Sequence, residues 1–168
     1  MRRSVVARVA LLAGAVAAVA GCSAPPQPEV TFFADGDTER AAPLRYCDAL
    51  LTSCEPTRGE PATLDVRPGM PVQVSVPSEV ARTPWVVNIQ YLDDQGRPQP
   101  VRQEVFTSGE RHAYTALPEA PGDQLLVVEV QQLGAAYAAD AQGDPILDEA
   151  GEPQLVARAV WSLRIQPS

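Results

Sequence analysis

The chain is 168 residues long and carries 21 carboxylates against 13 basic side chains, every one of them arginine, for a net charge of −8. Neutralising phosphates takes a contiguous basic patch, and these arginines are scattered singly among acidic residues, which excludes nucleic acid as a partner. The length suits one domain with one core.

The N-terminus reads as an export signal. Arg2, Arg3 and Arg8 form a positive stretch, and Val9 to Ala20 follows without a polar side chain. That run is long enough for a signal core and well short of the roughly 20 residues that span a bilayer. Val19-Ala20-Gly21-Cys22 then sets two small residues before a cysteine, the layout of a bacterial lipobox. The Cys22 thiol is the acceptor such a site requires, taking a diacylglyceryl thioether with palmitate-like chains before cleavage between Gly21 and Cys22. Two acyl chains, at about 0.8 kcal/mol per buried methylene, hold a protein on a bilayer where one does so only marginally. The expectation is a signal peptide over 1–21 and a mature protein lipid-anchored at the extracytoplasmic face of the cell membrane. Arg2-Arg3 leaves Sec and twin-arginine export both open. Loss of Arg2, Arg3 and Arg8 leaves ten arginines against 21 carboxylates, a net charge of −11.

Ser23-Ala24-Pro25-Pro26-Gln27-Pro28 is a proline-rich tether, so residues 22–28 are expected to carry the lipid and an extended spacer of up to ~20 Å at ~3.1 Å per residue. The domain is expected over 29–168. Val72, Val74 and Val76 alternate with polar residues, as do Trp85, Val87, Ile89 and Tyr91, then Leu126, Val128 and Val130, then Trp161, Leu163 and Ile165. This is the period of half-buried strands, with Val127 the one apolar exception on an outer side. Val30 to Ala34, Pro43 to Cys47, Ala62 to Val66, Val101 to Thr107 and His112 to Leu117 are weaker candidates, about nine in all. The best helical stretch is Ser78 to Arg82, one turn with Ser78 as its cap. Such a pattern predicts an all-β, immunoglobulin-like antiparallel β-sandwich, with a small closed barrel as the alternative.

With Cys22 lipidated, Cys47 and Cys54 remain, with six residues between them, in a compartment where disulfides persist. Their bridge closes a loop whose chain entropy corresponds to about 2.5 kcal/mol. A redox or metal pair fits less well, because the spacing is not C-x-x-C and no other soft ligand is present. Only carboxylates are left for a hard cation, and neither a metal site nor a cofactor is expected.

Asp93 to Pro98, Asp140 to Pro145 and Asp148 to Pro153 all read D-x-x-G-x-P. None has the twelve-residue ligand pattern of an EF-hand. Hairpin turns explain them better: Asp holds the local backbone, Gly takes a positive φ and Pro starts the departing edge. Asp140, Asp144, Asp148, Glu149 and Glu152 gather within 13 residues without a basic side chain. That run is read as a pair of solvated turns, or as the place where the domain docks a basic partner in the envelope.

Catalytic candidates are few. His112 is the only histidine and Ser108 stands four residues before it, which allows an envelope serine hydrolase as the alternative function. No nucleophile elbow or comparable signature accompanies them, so no catalytic residue is assigned. Trp85 and Trp161 sit on apolar faces of alternating strands, which assigns them to the core rather than to a ligand.

Tyr46-Cys47-Asp48 with Cys54, the run Val66 to Ser78, Trp85 and Val160-Trp161-Ser162 together resemble a family of small actinobacterial envelope proteins known only as a domain of unknown function. The likeness spans residues 29 to 166. It implies a secreted or lipid-anchored protein of an actinobacterium and carries no activity over. The expected function is a non-enzymatic binding or assembly module.

Overall fold

A computed structural model describes residues 26–147 and 151–167. Among them are ten strands and one helical turn: β1 (Val30–Ala34), β2 (Asp37–Ala41), β3 (Arg45–Tyr46), β4 (Ala62–Asp65), β5 (Val72–Ser75), α1 (Ser78–Ala81), β6 (Trp85–Leu92), β7 (Arg102–Phe106), β8 (Ala113–Ala116), β9 (Gln124–Tyr137) and β10 (Leu155–Gln166). They form two sheets. The first runs β2-β1-β5-β8; the second runs β3-β10-β9-β6-β7, with β4 also on β10. All pairings are antiparallel except β4 with β10. The chain changes sheet five times, between β2 and β3, β4 and β5, β5 and β6, β7 and β8, and β8 and β9. The sheets stay separate, with β2, β7 and β8 at their ends, so the closed-barrel alternative does not apply.

Alternation explains the layering. Phe32 of β1, Val72 and Val74 of β5 and Ala116 of β8 meet Trp85, Val87 and Ile89 of β6, Val128 and Val130 of β9, and Trp161, Leu163 and Ile165 of β10 in one buried cluster. Both tryptophans lie in it, as their place on alternating strands requires. The Trp161 indole donates from Nε1 to the Pro28 carbonyl at 2.9 Å, and Gln27 donates from Nε2 to Glu55 at 3.0 Å. Both bonds tie the end of the proline-rich segment to the body of the domain.

Some expectations need correction. Ser78 does not cap the helical turn: Pro77 occupies the N-cap, no side chain bonds the free N–H groups there, and Ser78 is the first helical residue. The turn is held instead by Gln132, a buried amide whose Nε2 donates to the Glu79 carbonyl and the Thr83 hydroxyl, both at 2.8 Å. The strand expected over Pro43 to Cys47 shrinks to Arg45–Tyr46. β2 was not anticipated, because its first four residues are polar and exposed.

The Cys47–Cys54 disulfide is present. Its two residues face each other across an antiparallel bridge. Asp48 shapes the enclosed loop, accepting from the Thr52 N–H at 2.9 Å and the Thr52 hydroxyl at 2.6 Å. The Thr52 hydroxyl above all holds the Asp48 carboxyl below its ordinary pKa, as the Arg97 N–H does for Asp93 and the Arg67 guanidinium for Asp35. A carboxylate depressed in this way contributes stability above its unfolded pKa, and the contribution is lost as pH falls through the folded value.

Candidate functional site

At one end of the second sheet, β9 and β10 continue past their neighbours. β6 pairs with β9 as far as Gln132, while β9 and β10 stay joined out to Tyr137 and Leu155, with register shifts on the way. The Ala135 N–H donates to the Ala49 carbonyl at 2.6 Å, which seats this arm on the disulfide loop. Gly134 permits the approach: a Cβ there would stand 2.7 Å from Leu51 Cδ1 and 2.9 Å from the Ala49 carbonyl oxygen.

The arm is built from the D-x-x-G-x-P turns. Asp140 Oδ1 accepts from the N–H groups of Gln142 and Asp144 at 2.9 and 3.0 Å, Gly143 adopts φ 90, and Pro145 faces Ala139 across a bridge. Asp93 does the same for Gln95 and Arg97, with Gly96 at φ 75 and Pro98 facing Leu92. In the third copy Pro153 faces Leu147 and Gly151 adopts φ 79, while Asp148 and Glu149 lie outside the described residues. The hairpin-turn expectation holds for the two copies described in full. Because the arm's copies are eight residues apart, Ala138, Ile146 and Gln154 come together. The Ala138 N–H donates to Gln154 O, the Gln154 N–H to Ile146 O, and the Ile146 N–H to Ala138 O, a closed ring of bonds at 2.8–2.9 Å.

Asp140, Asp144 and Glu152 are exposed on this arm, beside the exposed apolar side chains Tyr137, Ile146, Leu147 and Leu155. Where the arm returns to the body it forms one wall of a groove of about 480 Å³ over the outer face of the second sheet. Pro84, Val86, Val105, Leu133, Pro153 and Leu155 give it an apolar lining, and Gln103, Gln131 and Glu152 a polar one. Val86 is only 4% exposed although it points away from the core. An amide ladder crosses the sheet beside it: Gln103 donates to Asn88 at 2.9 Å, Asn88 to Glu129 at 3.5 Å, and Gln131 to the same Glu129 oxygen at 2.6 Å. The arrangement offers negative charge, hydrogen-bonding amides and an apolar trough on one surface.

A larger depression of about 630 Å³ lies along Pro26 to Glu29, where Glu29 pairs with Arg40 at 3.2 Å and Glu55 accepts from Gln27. Ser108 and His112 are both exposed in the loop between β7 and β8. Ser108 Oγ accepts from the Glu110 N–H at 3.4 Å, and no hydrogen bond among the described residues joins it to His112. Cys22 lies outside the described residues. The groove itself was missed in the sequence. Its signal was a strand apolar on both faces, Trp85-Val86-Val87, where strict alternation puts a polar residue in the middle.

A family described as "Protein of unknown function (DUF2771)" matches residues 23–166. Uncharacterized proteins of Mycobacterium bovis and Mycobacterium tuberculosis are 31% identical over 158 residues, covering 94% of this chain and 88% of theirs. No solved structure matches. Matching over nearly its whole length both this family and its uncharacterized mycobacterial relatives, the chain belongs to the DUF2771 family of proteins of unknown function.

Proposed function

We propose that this protein is a lipid-anchored, non-enzymatic binding module on the extracytoplasmic face of the cell membrane, docking a basic, partly apolar segment of an envelope protein. The scaffold for that role is an immunoglobulin-like sandwich. Its support is the neighbouring of β5 and β8 in one sheet and of β10, β9 and β6 in the other, with Trp85 buried at the start of β6. The observation that carries the binding role is the meeting of the acidic arm and the apolar groove on one surface. Charge of one sign beside a trough steers a partner of opposite sign and speeds its capture at low salt.

Neutralising Asp140, Asp144, Asp148, Glu149 and Glu152 to their amides should slow capture of the partner about tenfold or more at low salt and flatten its salt dependence. The amide at position 140 can still accept the turn's hydrogen bonds, so the arm keeps its shape. His112→Ala should leave capture intact. If His112→Ala alone abolished the native phenotype with folding preserved, the serine hydrolase built on Ser108 and His112 would replace the binding module. The anchor has its own test: Cys22→Ala should leave the precursor uncleaved and unlabelled by a clickable palmitate analogue, and acyl labelling of the variant would remove the anchor from the reading.

A further inference from the structure

The strand β7 is an end strand of the second sheet, paired with β6 on one side only. A free edge of this kind normally carries a guard against pairing with another chain, inward-pointing charges among the commonest. β7 has two half-buried charges, Arg102 and Glu104, but they stand either side of Gln103 and are flanked by Val101 and Val105, which are 57% and 54% exposed. Val101-Arg102-Gln103-Glu104-Val105 is therefore a palindrome in chemistry: apolar, positive, neutral, negative, apolar.

We infer that β7 pairs antiparallel with β7 of a second copy of this chain, about a two-fold axis through Gln103. In that register Gln103 faces its own copy, each Arg102 faces a Glu104, and each Val101 faces a Val105. An isologous contact has this property by symmetry, since residue i meets j and j meets i. Opposite charges and apolar pairs facing across strands stabilise the pair, and like charges facing destabilise it. The registers that keep the same faces together but shift the centre by one residue set Glu104 against Glu104 or Arg102 against Arg102. The edge charges thus select one partner and one register rather than forbid pairing. Within its own chain the Arg102 guanidinium is anchored by the Leu117 carbonyl and lies 3.7 Å from Glu119, which fixes where it faces a partner. Pairing joins the two second sheets edge to edge and sets each exposed Val101 beside an exposed Val105 of the other copy.

Facing residues of an antiparallel pair have Cα atoms about 4.5–5.5 Å apart, inside the range a disulfide spans. The full-length protein in its own membrane, carrying Gln103→Cys, should form an intermolecular disulfide under mild oxidation. Thr115→Cys, exposed on the end strand β8 of the first sheet, should yield severalfold less. Co-expressed Val101→Cys and Val105→Cys chains should cross-link with each other and neither with itself. Arg102→Glu in the Gln103→Cys background should reduce the cross-link, and adding Glu104→Arg should restore it. Cross-linking at position 103 no greater than at 115, or Val101→Cys pairing with itself as readily as with Val105→Cys, would overturn the inference.

Discussion

Trp85→Ala is expected to destabilise the domain by about 3–5 kcal/mol, the range for a large aromatic removed from a core. Its side chain is 1% exposed and opens β6, the strand by which the chain returns to the second sheet from β5. The ring stacks on Phe106 with centroids 4.2 Å apart, and Phe106 in turn tilts against Tyr114 at 5.4 Å, so three strands from both sheets lean on one aromatic column. Truncation leaves a cavity that neither sheet can close without breaking its own ladder. Urea denaturation followed by far-ultraviolet dichroism measures the loss. A change under about 1 kcal/mol is what an exposed residue gives. That result would move Trp85 out of the core and make a surface role for it worth pursuing.

Gly69→Ala is expected to cost about 2–4 kcal/mol, from two separable causes. Gly69 adopts φ 79, where a Cβ costs about 1–2 kcal/mol. Beyond that, the new Cβ would be driven into the Pro121 carbonyl oxygen, a backbone atom that cannot swing aside. The contact is tight because the Gly69 N–H donates to the Asp123 carbonyl at 2.9 Å, and the Asp123 carboxylate in turn holds the Ala120 N–H at 2.9 Å. Gly96→Ala isolates the first cause, since Gly96 has φ 75 and open space where its Cβ would sit. The difference between the two variants in thermal unfolding is the cost of the clash. Equal shifts would show that the loop at Gly69 does not approach Pro121 as described.

Strands whose outer faces are polar were readable in the sequence because alternation reports burial directly: Val72 to Ser75, Trp85 to Leu92 and Trp161 to Gln166 all emerged where the pattern placed them. β2 escaped because an exposed end strand needs no apolar face, and only Ala41 of its five residues is buried. The outer ends of β9 and β10 escaped for a different reason. Gly134, Ala135 and Ala136 carry too little side chain to show a period, and the strand persists there because β10 and the disulfide loop satisfy its backbone. The candidate site divides in the same way. The acidic turns were legible as local chemistry, each Asp, Gly and Pro acting on its own few residues. The groove joins Val86, Val105 and Leu155, whose separation along the chain conceals their meeting in space.

The position of β10 governs when the domain can form. β10 lies between β9 on one side and both β3 and β4 on the other, and it forms the parallel pair with β4 across about 100 residues of chain. Contacts so distant in sequence are made late and slowly, because the intervening chain must be ordered before they repay its loop entropy. Until β10 is in place, β3 and β4 have no partner in their sheet and the Trp161 ring is missing from the core. A chain in which β10 has not yet paired therefore lacks one side of its second sheet and part of its core. Completion of the second sheet is thus paced by its most distant pairing rather than by its hairpins.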